Sequence, residues 1–247
     1  MNSSYQLEVI AFTLSSCNII QQAGAHRIEL CDNPAEGGTT PSYGFIKRAR
    51  AVTTIELYVM IRPRGGDFLY SDEEFELMQQ DVLLCKQLGC EGVVTGLLKP
   101  DGTVDYDRTA RLAELAYPMG VTFHRAFDRT RNADEALETV IQTGCERILT
   151  SGLHSDVISG AATLAALVKA ADERILIMPG SGVRSNNLAQ LAQATGAHQF
   201  HTSARAYKAS GMTFSNPLMN EQLQEVTADE QEIRNCLSVL KTLAVSS

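Results

Sequence analysis

The feature that most restricts how this chain can fold is a recurring punctuation. A helical stretch ends at a glycine, one or two residues follow, and a short apolar run begins. The pattern stands at Ala23-Gly24-Ala25, Leu88-Gly89-Cys90, Thr143-Gly144-Cys145 and Thr195-Gly196-Ala197. Glycine just past a helix suits the left-handed C-cap conformation. Strands are expected at Leu7–Ala11, Arg27–Cys31, Ile55–Arg62, Gly92–Gly96, Val121–Arg125, Arg147–Ser151, Ile175–Met178 and Gln199–Ser203. They are nearly continuous apolar runs, as parallel strands covered on both faces should be. Helical spacing fills the intervals, for example Leu14–Gln22, Asp72–Leu88 and about Ser155 to Ala171. Eight such βα units in 247 residues match the α/β TIM (β/α)8 barrel. A doubly wound open sheet is the competing layout, because repetition alone does not show closure. The chain reads as a single domain, with the barrel over about residues 5–205 and a C-terminal tail over 206–247. That tail begins polar and offers an amphipathic helix at about Asp229–Leu243, to cap one end of the barrel or pack on a partner.

Charge and composition remove several classes of function. A net charge of −8 without a basic stripe argues against a nucleic-acid binder. No apolar run approaches the roughly 20 residues that span a bilayer, so no membrane partner is expected. Met1-Asn2-Ser3-Ser4-Tyr5 lacks the basic and apolar regions of an export signal. Six scattered cysteines without a CxxC pair read as reduced thiols of a cytoplasmic protein, most of them small core residues.

In a barrel wrapped by helices, a charged residue within a strand must face the interior or its upper mouth, and catalytic groups sit at strand C-termini. Glu8, Glu29, Cys31, Arg62, Arg64, Thr95, His124, Arg125, Ser151 and His201 therefore converge, with Asp67 and Asp128 on the loops above. Ile61–Phe68 reads I-R-P-R-G-G-D-F. Arginine at the end of a buried strand needs an anionic partner, and its planar fork suits carboxylate or phosphate. Phe123–Asp128 reads F-H-R-A-F-D, and a carboxylate such as Asp128 could set the tautomer of an acid–base or metal-binding His124. A core histidine bonded to nearby backbone is the bland alternative. Likewise Glu8 and Glu29 could be no more than the salt-bridge partners of Arg62 and Arg64. Gly180-Ser181-Gly182 opens a loop after the seventh strand, and His201 and Ser203 end the eighth. Together they read as the phosphate grip of this fold.

No strand lysine, GxSxG elbow, Walker loop or HExxH appears, which disfavours Schiff-base, α/β-hydrolase, nucleotide-hydrolysing and zinc-protease chemistry. A copper(I) site wants soft ligands. Cys31, with Met60 and Met178, supplies the candidates near the strand ends, and Cys31 could equally be a packing residue.

Several segments, in order, resemble the CutC family: Arg27–Cys31 with Glu36–Ser42 (E-G-G-T-T-P-S), then I-R-P-R-G-G-D-F, V-T-G at Val94–Gly96, H-R-A-F-D at His124–Asp128, L-T-S-G at Leu149–Gly152 and G-S-G-V-R at Gly180–Arg184. The resemblance runs from about Leu7 to Arg205. It implies a TIM barrel, a cytoplasmic homodimer, and a role in copper homeostasis with copper(I) as ligand, for which Cys31 is the candidate metal residue. Many relatives carry a cysteine soon after the first-strand glutamate. Here Glu8 is followed by Val9-Ile10-Ala11-Phe12, which removes one soft ligand. Beside the copper reading stands an enzyme acting on a small anionic or phosphorylated metabolite. In it Glu8, Glu29 or His124 would transfer protons, Arg62 and Arg64 would hold negative charge, and Asp67, Arg125, Ser151 and the Gly180–Gly182 loop would line the ligand. A hard divalent metal on Glu8, Glu29 and His124 is a variant of that reading.

Overall fold

Strand residues alternate in direction, and that alternation builds the molecule. In β1 (Gln6–Ala11), Leu7, Val9 and Ala11 face the helices while Glu8 and Ile10 face inward. The same alternation runs through β2 (Arg27–Leu30), β3 (Glu56–Met60), β4 (Gly92–Thr95), β5 (Gly120–Phe123), β6 (Arg147–Thr150), β7 (Leu176–Pro179) and β8 (Gln199–Thr202). The helix-facing row is Ile28, Leu57, Val59, Val93, Phe123, Ile148 and Phe200, all buried in one core. Each such side chain stabilises the fold by roughly 1.5–3 kcal/mol. The inward row is thereby free to carry polar groups.

The computed structural model describes residues 5–221 and 223–246, without the Ser246 side chain. Met1–Ser4, Gln222 and Ser247 lie outside the described residues, and so does most of the segment read as lacking an export signal. The strands are parallel in the order β7-β6-β5-β4-β3-β2-β1-β8, with Glu8 level with both Arg27 and His201. β7 and β8 meet side by side without a ladder, so the barrel is nearly closed. This pairing of β1 with β8 rules out the doubly wound sheet, whose first and last strands lie apart. Helices α1 (Leu14–Ala23), α2 (Tyr43–Val52), α3 (Asp72–Gln87), α4 (Tyr106–Ala116), α5 (Ala133–Gln142), α6 (Ala161–Ala171) and α7 (Leu188–Thr195) alternate with the strands. Their starts are capped by Thr13, Ser42, Ser71, Asp105 and Asn132 side chains, which satisfy amides that no helical carbonyl can reach.

Several expected boundaries differ, β3 ending at Met60 and β5 at Phe123 rather than at Arg62 and Arg125. The helix expected from about Ser155 begins at Ala161, because Asp156 accepts from Ile158 N and Ser159 N and holds a local turn there. The polar start of the tail is no mere tail. Arg205–Ala209 (β9) and Gln224–Ala228 (β10) form an antiparallel hairpin. The helix after it, α8 (Glu230–Ser246), lies between α1 and α7 and takes the eighth place in the ring. Among the described residues no helix is long and apolar enough to cross a membrane.

Candidate active site

Polar residues fill the barrel interior in two layers. At the floor, Arg27 donates to Glu56 (2.8 Å), Glu8 (3.4 Å), Gln199 (3.4 Å) and Gln6 (3.3 Å). Arg147 donates to Gln199 (2.8 Å), Thr122 (2.9 Å) and Glu146 (2.9 Å). The Tyr58 ring lies between the two guanidinium groups, at 4.8 and 5.3 Å, and its hydroxyl donates to Glu146. Gly92 makes room for that ring, since a Cβ there would fall 2.2 Å from Tyr58 Cε1.

Above the floor, Glu8 is the hinge between layers. Its Oε2 takes Arg27 and its Oε1 lies 2.8 Å from His201 Nδ1, while His201 Nε2 faces Glu29 Oε2 at 3.9 Å. Burial alone would raise Glu8, but the His201 hydrogen bond and the charges of His201, Arg27 and Arg147 outweigh it and hold the carboxyl below its ordinary range. Burial pushes Glu29 up to about 7, against the charge of His201. His201 is raised: its burial works against this, but Glu29 and Glu8 prevail. Glu8, Glu29 and His201 each offer a ligand atom within 4.8 Å of the others, so the cluster could hold a metal ion. The third member of this cluster is His201, not His124 as expected, because the level of Glu8 is shared by β8 and not by β5.

The mouth holds a cavity of about 190 Å³ lined by Glu29, Met60, Arg62, Phe68, His124 and His201, with Arg125 and Arg129 also on its wall. Arg62 is buried, and no glutamate side chain is its partner. It donates to the carbonyls of Glu36 (2.7 Å), Gly38 (2.8 Å) and Gly66 (3.0 Å), tying two loops together. Arg64, by contrast, turns outward to Glu74 (2.6 Å) and Asp67 (3.0 Å), with 39% of its side chain exposed. Neither Arg64 nor Asp67 lines the cavity.

His124 accepts a hydrogen bond at Nδ1 from Ala126 N (3.2 Å). That backbone group, and not Asp128, sets its tautomer. Asp128 is saturated elsewhere by Thr150 Oγ1, Ser151 N, Ser151 Oγ, Leu153 N and Arg125 Nε. It is a staple joining the loops after β5 and β6, and Ser151 belongs to that staple. The Gly180–Gly182 loop also serves the fold. A Cβ at Gly180 would fall 2.4 Å from Leu149 Cδ1. Ser181 donates to Ser155 O, and Gly182 O accepts from Asn187 Nδ2. Just beyond, Ser185 N and Oγ are held by the Glu232 carboxylate of α8 (2.8 and 2.9 Å). Neither this loop nor half-buried Ser203 lines the mouth cavity.

A family model described as the CutC family matches residues 5–206. The chain belongs to the CutC family. A family protein CutC of Chromobacterium violaceum is 54% identical over 208 residues, covering 84% of each chain. One of Parabacteroides distasonis is 47% identical over 236 residues, covering 92% of this chain and 97% of the relative. The crystal structure of a proposed copper homeostasis protein CutC from Streptococcus agalactiae superposes with a TM-score of 0.77 at 35% identity, covering 81% of this chain and 98% of that one. Phosphoribosylanthranilate isomerase of Thermotoga maritima, at 10% identity and a TM-score of 0.60, shares the fold alone.

The donor set of this CutC chain can be tested against copper(I). Cys31 is fully buried beneath Gly38, where a Cβ would fall 2.9 Å from its sulfur. Its thiol donates to Glu29 Oε2 at 3.6 Å, and burial, reinforced by Glu29, drives its pKa well above the ordinary value. Glu8, Glu29 and His201 beside it are oxygen and nitrogen donors, a harder set than copper(I) prefers, and Met60 is the other sulfur of the same buried cluster. Cys31, the candidate metal residue, is thus buried and does not line the mouth cavity.

Several polar and aromatic residues of the CutC interior are absent from the residues expected there. Arg27 and Arg147 each open a strand, and the rule that strand charges face inward covers them as it covers Glu8. Phe68 is the ring against which Arg62 (4.9 Å), Arg129 (5.8 Å) and His124 (4.8 Å) all pack. Its signal was the D-F ending of the loop after β3. Arg129 had only its nearness to Arg125 to recommend it.

Proposed function

We propose that this chain is an enzyme acting on a small anionic or phosphorylated metabolite held at the barrel mouth. One observation carries the reading. Glu29 Oε1, Arg62 Nε and His124 Nε2 are buried polar atoms without a hydrogen-bond partner among the described residues, and their three side chains line one cavity. Three such atoms around one cavity fit a site kept for a ligand rather than for stability. Arg129 supplies positive charge on its wall, beside Arg125, which is paired with Asp128. Glu29, poised at about 7, suits general acid–base catalysis near neutral pH. His201 and Glu8 are positioning residues that keep one Glu29 oxygen occupied.

Copper homeostasis, the role given for the Streptococcus agalactiae relative, is the second reading. Family membership favours it, and the Glu8–Glu29–His201 spacing favours a harder divalent ion than copper(I). We read the chain as one cytoplasmic domain, supported by six free buried cysteines, which suit a reducing compartment. We read it as a homodimer, supported by the apolar side chains Met212, Phe214, Leu218 and Met219 exposed on the β9–β10 arm. Sedimentation of the protein and of Phe214→Ser, Leu218→Ser checks that point.

The deciding experiment is thermal denaturation with anaerobic copper(I), zinc, magnesium, and phosphorylated and carboxylated metabolites. A ligand of the native state at a hundredfold over its Kd adds about 2.7 kcal/mol. A shift with one anion class, lost in Arg129→Ala, is the expected result. A shift with copper(I) alone, lost in Cys31→Ser, gives the site to the metal.

A further inference from the structure

We infer that the mouth catalyses proton abstraction from a carbon beside a carbonyl group. Glu29 Oε1 takes the proton, and His124 Nε2–H with Arg62 Nε–H receives the carbonyl oxygen as it becomes an enolate. The inference rests on the reading above that the cavity binds a small anionic metabolite, and it names the substrate class: short α-hydroxy carbonyl compounds and α-keto acids bearing a phosphate or carboxylate.

The argument begins at His124. Because Ala126 N–H donates to Nδ1, that nitrogen carries no proton, and the hydrogen of the neutral ring sits on Nε2. Burial, aided by the charges of Arg62 and Arg125, depresses the imidazole to about 3, so the ring stays a neutral donor at physiological pH. Its seat is carved for it. A Cβ at Gly96 would fall 2.4 Å from His124 Nδ1, and Phe68 packs on the ring at 4.8 Å. A neutral imidazole fixed in this way cannot serve as a base at neutral pH. What it offers a ligand is a hydrogen-bond donor, which suits an oxygen gaining negative charge.

Arg62 completes the donor pair. Its two terminal nitrogens are committed to three backbone carbonyls. The guanidinium is therefore rigid; Nε makes none of these three bonds, and the buried Tyr70 hydroxyl also approaches the group. Glu29 is divided in the same manner. Oε2 takes the Cys31 thiol and faces His201 Nε2, while Oε1 remains without a partner. The cavity of about 190 Å³ has room for roughly six water-sized groups. That accommodates a short carbon chain, with its anionic group toward Arg125 and Arg129.

The step balances without a co-reactant. The C–H bond breaks and its proton passes to Glu29. The bonding pair forms a carbon–carbon double bond, and the carbonyl π pair moves onto oxygen. Return of the proton to the same carbon gives exchange. Return to the neighbouring carbon of a hydroxy carbonyl gives isomerisation.

The test is deuterium wash-in. The protein is incubated in D2O with glyceraldehyde 3-phosphate, dihydroxyacetone phosphate, pyruvate and oxaloacetate, and C–H signals are followed by NMR beside thermal-shift binding of the same compounds. Expected is exchange of at least one compound above the buffer rate. It should fall about a hundredfold or more in Glu29→Gln, and tenfold or more in His124→Phe, while binding persists in Glu29→Gln. Where His124→Phe does not fold, a hydroxamate analogue of the exchanging compound decides on the wild-type protein. It should bind at least tenfold tighter than the compound it mimics, as an enolate mimic does, and equal binding counts against the donor pair. Binding without exchange across the panel overturns the inference and leaves the anion-site reading standing. Absence of any binding overturns both.

Discussion

At the floor of the barrel, Arg27 and Arg147 reach Gln6, Glu8, Glu56, Thr122, Glu146 and Gln199. At the mouth, Arg62, Glu29 and His124 each keep a buried atom that no protein group satisfies. Arginine and glutamate serve at both levels, and Arg27, Arg147, Arg62, Glu29 and His124 are all buried, while Glu56 and Glu146 carry the floor network out to solvent. The floor closes its network upon itself, as a structural ion cluster must when desolvation is costly. The mouth keeps its groups in place by backbone contacts, such as the three carbonyls on Arg62 and the Ala126 amide on His124, and leaves one atom of each over. Burial of a charge therefore does not by itself mark a functional site. Incomplete satisfaction beside a cavity does.

The largest effect is expected from breaking the floor. Arg27→Met keeps much of the volume but strips Glu56 of its cation and leaves Glu8 Oε2 without its donor, and should destabilise the fold by about 3–5 kcal/mol in urea unfolding. At the mouth the sign should reverse. Glu29 has its pKa raised to about 7 from an ordinary 4.5. The stability it contributes is present below the unfolded value and is lost as pH rises through the folded one. Glu29→Gln should therefore stabilise the protein at pH 8, by on the order of 2 kcal/mol, and have little effect at pH 4. Equal destabilisation at both pH values would show Glu29 to be part of the structural network instead.

His124 gives the opposite pH dependence. Its folded pKa, about 3, lies below the ordinary 6.5. The unfolded chain therefore binds the extra proton first, and stability falls as pH drops from 6.5 toward 3. His124→Gln should flatten that acid limb by about 1–2 kcal/mol, measured by urea unfolding at pH 7 and pH 4.5. The smallest effect belongs to Arg64. Its partners Asp67 and Glu74 lie at the surface, so Arg64→Ala should cost at most about 1 kcal/mol and leave metabolite binding unchanged. A loss of binding in that variant would place Arg64 back at the mouth.

The sequence by itself determined the βα units, while the pairing of β1 with β8 that makes them a barrel came from the structure. Eight apolar runs, punctuated by glycines such as Gly24, Gly144 and Gly196 at left-handed φ, leave few other ways to bury both faces of a parallel sheet. It also determined that Glu8, Glu29, Arg62, His124 and His201 sit inside, because a charge on the helix-facing row would disrupt the core. Which of these residues meet was decided by the tertiary structure alone. The register of β1 against β8 gave Glu8 to His201. The loop after β3 parted Arg62 from Arg64, and the turn after β5 placed Asp128 under Ser151 and away from His124. A helix written into the tail as an appendage proved to be α8, and its Glu232 holds the Ser185 amide beyond the glycine loop. Periodicity is local and survives in the sequence. Side-chain partnership depends on strand tilt and register across the whole barrel, and one residue of shift would exchange the interior row for the core.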